Sequence, residues 1–260
     1  MDGSRVLAGG LTGVIVGLTG VGGGALMTPL LLLIFGTAPL TAVGTDLWFA
    51  AITKIAITTV HQRRSLIDWQ IVRRLWRGSL TTSVLTLVWL HYAPVARSAT
   101  LLTAIIGAAV CISALGMLAQ KRLHALAESL DVKAGGSMRQ WQPLATTLAG
   151  AALGVLVTLT SVGAGALGAL CLLYLYPSRL TPPRLIATDV AHAIPLAMFA
   201  GIGHLLIGSV DFVLLRDLLA GSLPGALIGA LAAARLPHAW LRLSLAAVLL
   251  LVGARLLISI

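Results

Sequence analysis

Long apolar runs dominate the chain, near 6–35, 38–60, 71–92, 98–119, 143–176, 184–207, 211–234 and 238–259. A helix needs about 20 apolar residues to cross a hydrocarbon core. The pattern therefore predicts an all-α, polytopic membrane protein with roughly eight transmembrane segments. One connection is strongly polar: Gln120 to Gln142, which carries Lys121, Arg122, Glu128, Asp131, Lys133 and Arg139. It divides the chain into halves of nearly equal length.

The first and fifth runs are unlike the rest. Each exceeds thirty residues, about 45–50 Å as a straight helix at 1.5 Å per residue, against a hydrocarbon core of about 30 Å. Each also carries glycines in its middle, Gly20-Val21-Gly22-Gly23-Gly24 and Gly163-Ala164-Gly165. Glycine weakens helix continuity. Each long run is thus expected to form two half-helices around a break, or a re-entrant hairpin. Val6 to Phe35 holds no charge over thirty residues, too long for a signal-peptide core of about 7–15, so the segment is expected to stay in the mature protein.

The halves repeat one another. Thr19 to Leu26 aligns with Thr160 to Leu167, and after a two-residue insertion the register holds. Thr45-Asp46 then matches Thr188-Asp189, His61 matches His204, Asp68 matches Asp211, Arg73 matches Arg216, and Gly78-Ser79-Leu80 matches Gly221-Ser222-Leu223. Shared apolar composition does not readily align Asp, His, Asp and Arg at one offset. The expected organisation is one integral membrane domain over 1–260, with a first repeat at 1–120, a polar inter-repeat loop at 121–142 and a second repeat at 143–260.

Basic residues change loops between the halves. Arg63, Arg64, Arg73, Arg74 and Arg77 follow the second run, while their counterpart region keeps only Arg216; the loop at 36–41 has no basic residue, while its counterpart has Arg179 and Arg184. Under the positive-inside rule this favours inverted repeats, although eight plain crossings place the charges almost as well. Duplication with helix breaks at matching places points to a secondary transporter with its site between the breaks, near the midplane.

Composition agrees. Of 260 residues 58% are hydrophobic and 10% charged, and the mean hydropathy is +0.99. Soluble domains run at about 45–50% apolar and about 25% charged, so a soluble enzyme, a disordered chain and a disulfide-stapled module are excluded. The net charge of +10 sits at the ends of apolar runs, where Lys and Arg meet headgroups; nucleic acid is not an expected partner. Cys111 and Cys171 lie inside apolar runs without a CxxC motif and read as small buried hydrophobes. Neither HExxH nor GxSxG occurs, so no catalytic residue, metal or cofactor is expected.

Gly17-Leu18-Thr19-Gly20-Val21-Gly22-Gly23-Gly24-Ala25-Leu26-Met27-Thr28-Pro29-Leu30, followed by Pro39 and Ala42-Val43-Gly44-Thr45-Asp46, resembles the TauE/SafE sulfite-exporter family. That family shows a similar glycine run, a following proline, an Ala-x-x-Thr-Ser/Asp element and a degenerate second copy. The resemblance spans essentially the whole chain. It implies a cell-membrane, multi-pass permease for sulfite, sulfoacetate or another organosulfonate, with export favoured. The second copy, Ser161 to Gly168, lacks a proline matching Pro29, so the two halves of the site are not chemically equivalent.

The residues allow such chemistry. A half-helix N-terminus carries partial positive charge and free N–H donors, which suits a sulfite or sulfonate oxygen. Gly20, Gly22, Gly23, Gly24, Gly163 and Gly165 let backbone approach a ligand; Thr19, Thr28, Thr160 and Ser161 offer hydroxyls. Close helix packing by small residues is the competing reading. Thr45, Thr188 and Lys54 complete the candidate substrate site. Lys54 has no counterpart, since Ala197 stands at the matching position; it either draws an anion inward or snorkels to the interface. Asp46, Asp189 and His192 are candidates for proton or cation coupling, against helix capping for the Thr-Asp pairs and an interhelical polar contact for His192. Asp46 is not expected to touch an anion unless protonated. Asp68 and Asp211 read as N-caps, Trp69 and Phe212 as interfacial anchors, and His61 and His204 as interfacial. The expected partners are the bilayer and a small anionic substrate, and a homodimer is compatible with this reading. A proton-coupled carrier or a channel for another small anion is the alternative.

Overall fold

The computed structural model describes residues 2–19, 24–60, 66–93, 98–133, 138–233 and 238–259. Among them the chain is helical with no strand. The helices are α1 (Gly3–Thr19), α2 (Gly24–Leu33), α3 (Pro39–Val60), α4 (Trp69–Tyr92), α5 (Ala99–Lys133), α6 (Met138–Thr160), α7 (Ala166–Leu175), α8 (Pro182–Leu206), α9 (Phe212–Ala233) and α10 (His238–Ile258).

The fifth run is divided at its glycines into α6 and α7, and in the first run α1 ends at Thr19 and α2 begins at Gly24, with residues 20–23 between them outside the described residues. α2 and α7 have 10 residues each, about 15 Å and half the depth of a hydrocarbon core. Four segments among the described residues are long and apolar enough to cross a membrane: Ala99–Gln120, Gln140–Thr160, Pro182–Leu206 and Phe212–Ala232. Leu115, Leu148, Leu231 and Leu251 stand exposed on these and neighbouring helices, as a lipid-facing surface requires.

The polar stretch at 121–142 departs from the expected loop. α5, 35 residues long, continues into it as far as Lys133, and α6 starts at Met138. Lys121 to Lys133 is rich in Lys, Arg, Leu, Ala and Glu, all good helix formers. Low hydropathy there marks the end of an apolar surface, not the end of a helix.

The packing exchanges partners between the halves. α1 lies along α9, and α6 lies along α4; α3 packs on α8, and α5 on α10. Glycines set the close approaches. A Cβ at Gly9 would strike the Leu218 backbone and one at Gly150 the Leu75 backbone; Gly13 and Gly154 stand in the same relation to Ser222 and Ser79. Each pair is the counterpart of the other under the alignment. Small residues permit such approaches between helices in lipid, where close contact replaces the hydrophobic drive.

The buried centre lies between α3 and α8, with Val43, Leu47, Ala51, Leu196, Ala197 and Ala200 packed against Ile106 and Val110 of α5 and Ala246 and Leu249 of α10. Two lateral clusters mirror one another. Met27 and Leu31 of α2 meet Leu214 and Leu218 of α9; Leu172 of α7 meets Ile71 and Leu75 of α4.

Candidate functional site

The second break is built by backbone conformation. Ser161 has φ 57°, Gly163 117° and Gly165 132°. These are left-handed or wider positive values that L side chains avoid, which explains glycine at 163 and 165. Thr160 closes the end of α6 on itself: its hydroxyl donates to Leu156 O at 2.6 Å and accepts the Val162 N–H at 3.0 Å. Past the turn, Gly168 N–H donates to Gly163 O at 3.0 Å and Ala169 N–H to Gly165 O at 3.1 Å. The Ala164 carbonyl is skipped by this ladder. Lys54 takes it, with Nζ donating at 2.7 Å.

Lys54 comes from α3 and is buried, 5% exposed. It is the one buried lysine or arginine among the described residues. Its ammonium is directed into the break, not out to the interface, and lies within electrostatic reach of Asp46 and Asp189. A buried ammonium requires both hydrogen-bond and charge partners; here a freed carbonyl and two carboxylates supply them.

Asp46 and Asp189 occupy matched positions on α3 and α8 and differ in surroundings. Asp46 Oδ2 accepts from the Thr28 backbone N–H at 3.1 Å and from the Thr28 hydroxyl, so it ties α3 to the first turns of α2. Its other oxygen has no hydrogen-bond partner, and Ser161 interacts with the carboxylate from the opposite break. Asp189 lies against the start of α7. Its Oδ1 rests on Gly168, where any Cβ would collide with it, and that oxygen has no hydrogen-bond partner. Ala169 stands where the alignment puts a match for Thr28, so α7 lacks the hydroxyl that Asp46 finds on α2. His192 follows one turn later on α8. Its ring Nε2 lies 3.0 Å from Ser79 Oγ of α4, and Nδ1 has no partner.

Thr28, Lys54, Asp46, Ser161, Asp189 and His192 are therefore linked in one buried region beside the turn between α6 and α7 and the first turns of α2. Thr45 and Thr188 make cross-half hydrogen bonds. The Thr45 hydroxyl accepts the Asp211 N–H at 3.0 Å, and the Thr188 hydroxyl accepts the Asp68 N–H at 3.1 Å. Each holds the N-cap of a helix in the other half. Thr45-Asp46 lies inside α3 and Thr188-Asp189 inside α8, so neither caps its own helix. Thr160 is engaged in its own turn. Thr19 and Gly24 mark the end of α1 and the start of α2, and the Thr19 side chain is not described. Gly20, Gly22 and Gly23 lie outside the described residues, as does His61.

Asp68 and Asp211 cap as expected: Asp68 Oδ1 accepts from Ile71 N–H at 3.3 Å, Asp211 Oδ1 from Leu214 N–H at 2.9 Å. His204 is a correction. It is fully buried, not interfacial, and its Nε2 lies 2.9 Å from the Thr158 carbonyl near the end of α6; a nearby helix break offers a polar partner in the interior. Three partners were missed from sequence. The Ala164 carbonyl carries no side-chain signal. Ser79 stood in a matched Gly-Ser-Leu triplet without a chemical reading. Arg179, 2.7 Å from Asp68, is far away in sequence.

A family model described as Sulfite exporter TauE/SafE matches residues 6–256. The chain belongs to this family. It is 36% identical over 264 residues to the Bacillus subtilis (strain 168) "Probable membrane transporter protein YjnA", covering 99% of this chain and all of that relative. No solved structure matches. As a TauE/SafE member the chain is a multi-pass membrane transporter, not an enzyme. In that setting the buried cation and two carboxylates at the helix breaks are functional candidates, because ionisable groups within a bilayer are costly and seldom retained without a role.

Proposed function

We propose that this transporter moves a small sulfur-containing oxyanion, such as sulfite, sulfoacetate or another organosulfonate, across the cell membrane, with export as the working direction. The two halves act as inverted repeats around a two-fold axis in the membrane plane, and the roughly eight crossings flank a midplane site between the breaks. The observation that carries the reading is Lys54. It is a buried ammonium parked on the free carbonyl of one break, beside the carboxylate that holds the other. An anion entering there finds one cation that can leave a neutral acceptor for it, together with the Ser161 hydroxyl and the N–H groups that a half-helix start leaves outside its own ladder. Membership of a family described as sulfite exporters supports sulfur oxyanions over other anions of similar size.

For an anion that crosses without a proton, electrostatics favours export. With the cytoplasm negative, a monoanion leaving the cell across 100 mV gains about 2.3 kcal/mol. Export needs no further energy source under that condition.

Thermal stabilisation of the purified protein by sulfite, sulfate, sulfoacetate, taurine and acetate tests the reading. A ligand at a hundred times its Kd stabilises by about 2.7 kcal/mol. Selective stabilisation by sulfite or a sulfonate is expected, and Lys54→Met is expected to lose it while remaining folded. Equal response to acetate, or none to any anion, contradicts the substrate class.

A further inference from the structure

The interior charges at the breaks do not balance for an anion. Lys54 contributes +1, and Asp46 and Asp189 contribute −1 each when ionised. A monoanion added to that set would leave an excess of two negative charges in a site with no described cation but Lys54. Water cannot screen them in the bilayer interior, and uncompensated buried charge is strongly unfavourable. One proton on one carboxylate returns the set to the single negative charge it carries when empty.

The two carboxylates are unequal candidates for that proton. Asp46 accepts two hydrogen bonds from Thr28, which favours its charged form, as hydrogen bonds to a carboxylate do. Among the described residues Asp189 shows no such donor: Ala169 replaces the hydroxyl, Gly168 offers only backbone, and Oδ1 is unpartnered although the residue is 4% exposed. The titratable groups in electrostatic contact with it are Lys54 on α3 and Cys171 on α7. His192 on its own helix is engaged with Ser79 of α4, and Lys54 in turn faces Asp46.

Resting on the oxyanion reading above, we infer that Asp189 takes up one proton for each monoanion bound, so that this chain is a proton–anion symporter. Asp46 remains the fixed countercharge of Lys54 and the tether of α2. One proton and one monoanion move together, so the step transfers no net charge. Export then runs on the outward anion gradient, and an inward pH difference drives uptake.

The test uses isethionate, a sulfonate that stays monoanionic across the range, with the whole purified protein from about pH 5.5 to about pH 9. One linked proton makes the apparent Kd rise tenfold per pH unit once Asp189 is ionised in the free protein. Asp189→Asn is expected to bind with a flat pH profile, while His192→Gln and wild type keep the slope. In proteoliposomes, wild-type isethionate flux should be unchanged by a potassium–valinomycin potential and accompanied by proton movement. A flat wild-type profile, a slope retained in Asp189→Asn, or flux that follows the potential overturns the inference and leaves the oxyanion reading standing. If isethionate, sulfite and sulfoacetate all fail to bind at every pH, the oxyanion reading falls and this inference falls with it. Should Asp189→Asn fail to fold, the wild-type slope and the potential dependence still decide the matter.

Discussion

Gly163 and Gly165 show most plainly how single residues make the site. Both hold wide positive φ values, and a Cβ at Gly163 would meet only ordinary contacts at 3.5 Å and beyond. The cost of Gly163→Ala is therefore backbone strain, about 1–3 kcal/mol, and a lowered melting temperature is the expected result. Gly168→Ala acts by another route. Its Cβ would collide with Asp189, so transport is expected to fall more steeply than stability when both are measured on one preparation. Gly163, Gly165, Lys54 and both aspartates stand out in the sequence as candidates, because glycine inside an apolar run and charge inside a membrane span are each anomalous on their own. What each of them touches was not. Lys54 meets a backbone carbonyl 110 residues away, and no side-chain pattern reports a carbonyl. Thr45 and Thr188 stood in the sequence as candidates for the substrate site; their hydroxyls accept the N-cap amides of Asp211 and Asp68, a cross-half contact that spacing along the chain does not report.

Helix boundaries were legible where special chemistry marks them. Asp68 and Asp211 announce α4 and α9 by the capping preference of Asp, and the glycine runs announce the divisions of α1 from α2 and α6 from α7. The extension of α5 to Lys133 was not legible, because hydropathy reports lipid contact and the helix outlasts it. Asp68 also ties α4 to the α7–α8 connection: Arg179 donates to it from Nε at 2.8 Å and to Gln70 from Nη2 at 2.8 Å. Asp68 is 7% and Arg179 40% exposed at the side chain. Asp68→Asn keeps a capping acceptor and loses the ion pair; Asp68→Ala loses both. A thermal melt should rank wild type above Asp68→Asn and Asp68→Asn above Asp68→Ala, the last step being about 1 kcal/mol for the cap. Equal melting of the two variants would show that the cap contributes nothing here.

Across the whole molecule, the exchanged packing of α1 on α9 and α6 on α4 fits two similar halves meeting around one axis, and the matched hydrogen bonds Thr45 to Asp211 and Thr188 to Asp68 fit it residue by residue. The duplication was readable from aligned polar residues. The orientation of one half to the other was not, because basic residues near both membrane faces satisfy more than one topology. Trp69 and Phe212 are matched and exposed, 47% and 58%. With inverted repeats, Trp69→Cys and Phe212→Cys should react with an impermeant thiol reagent from opposite sides of the membrane; labelling from one side would establish parallel repeats. The most direct test of an oxyanion path through the breaks is counterflow in proteoliposomes, with labelled sulfoacetate outside and unlabelled sulfoacetate inside. Saturable, transient accumulation in wild type and its loss in folded Lys54→Met is the expected result. Undiminished counterflow by Lys54→Met would contradict the path.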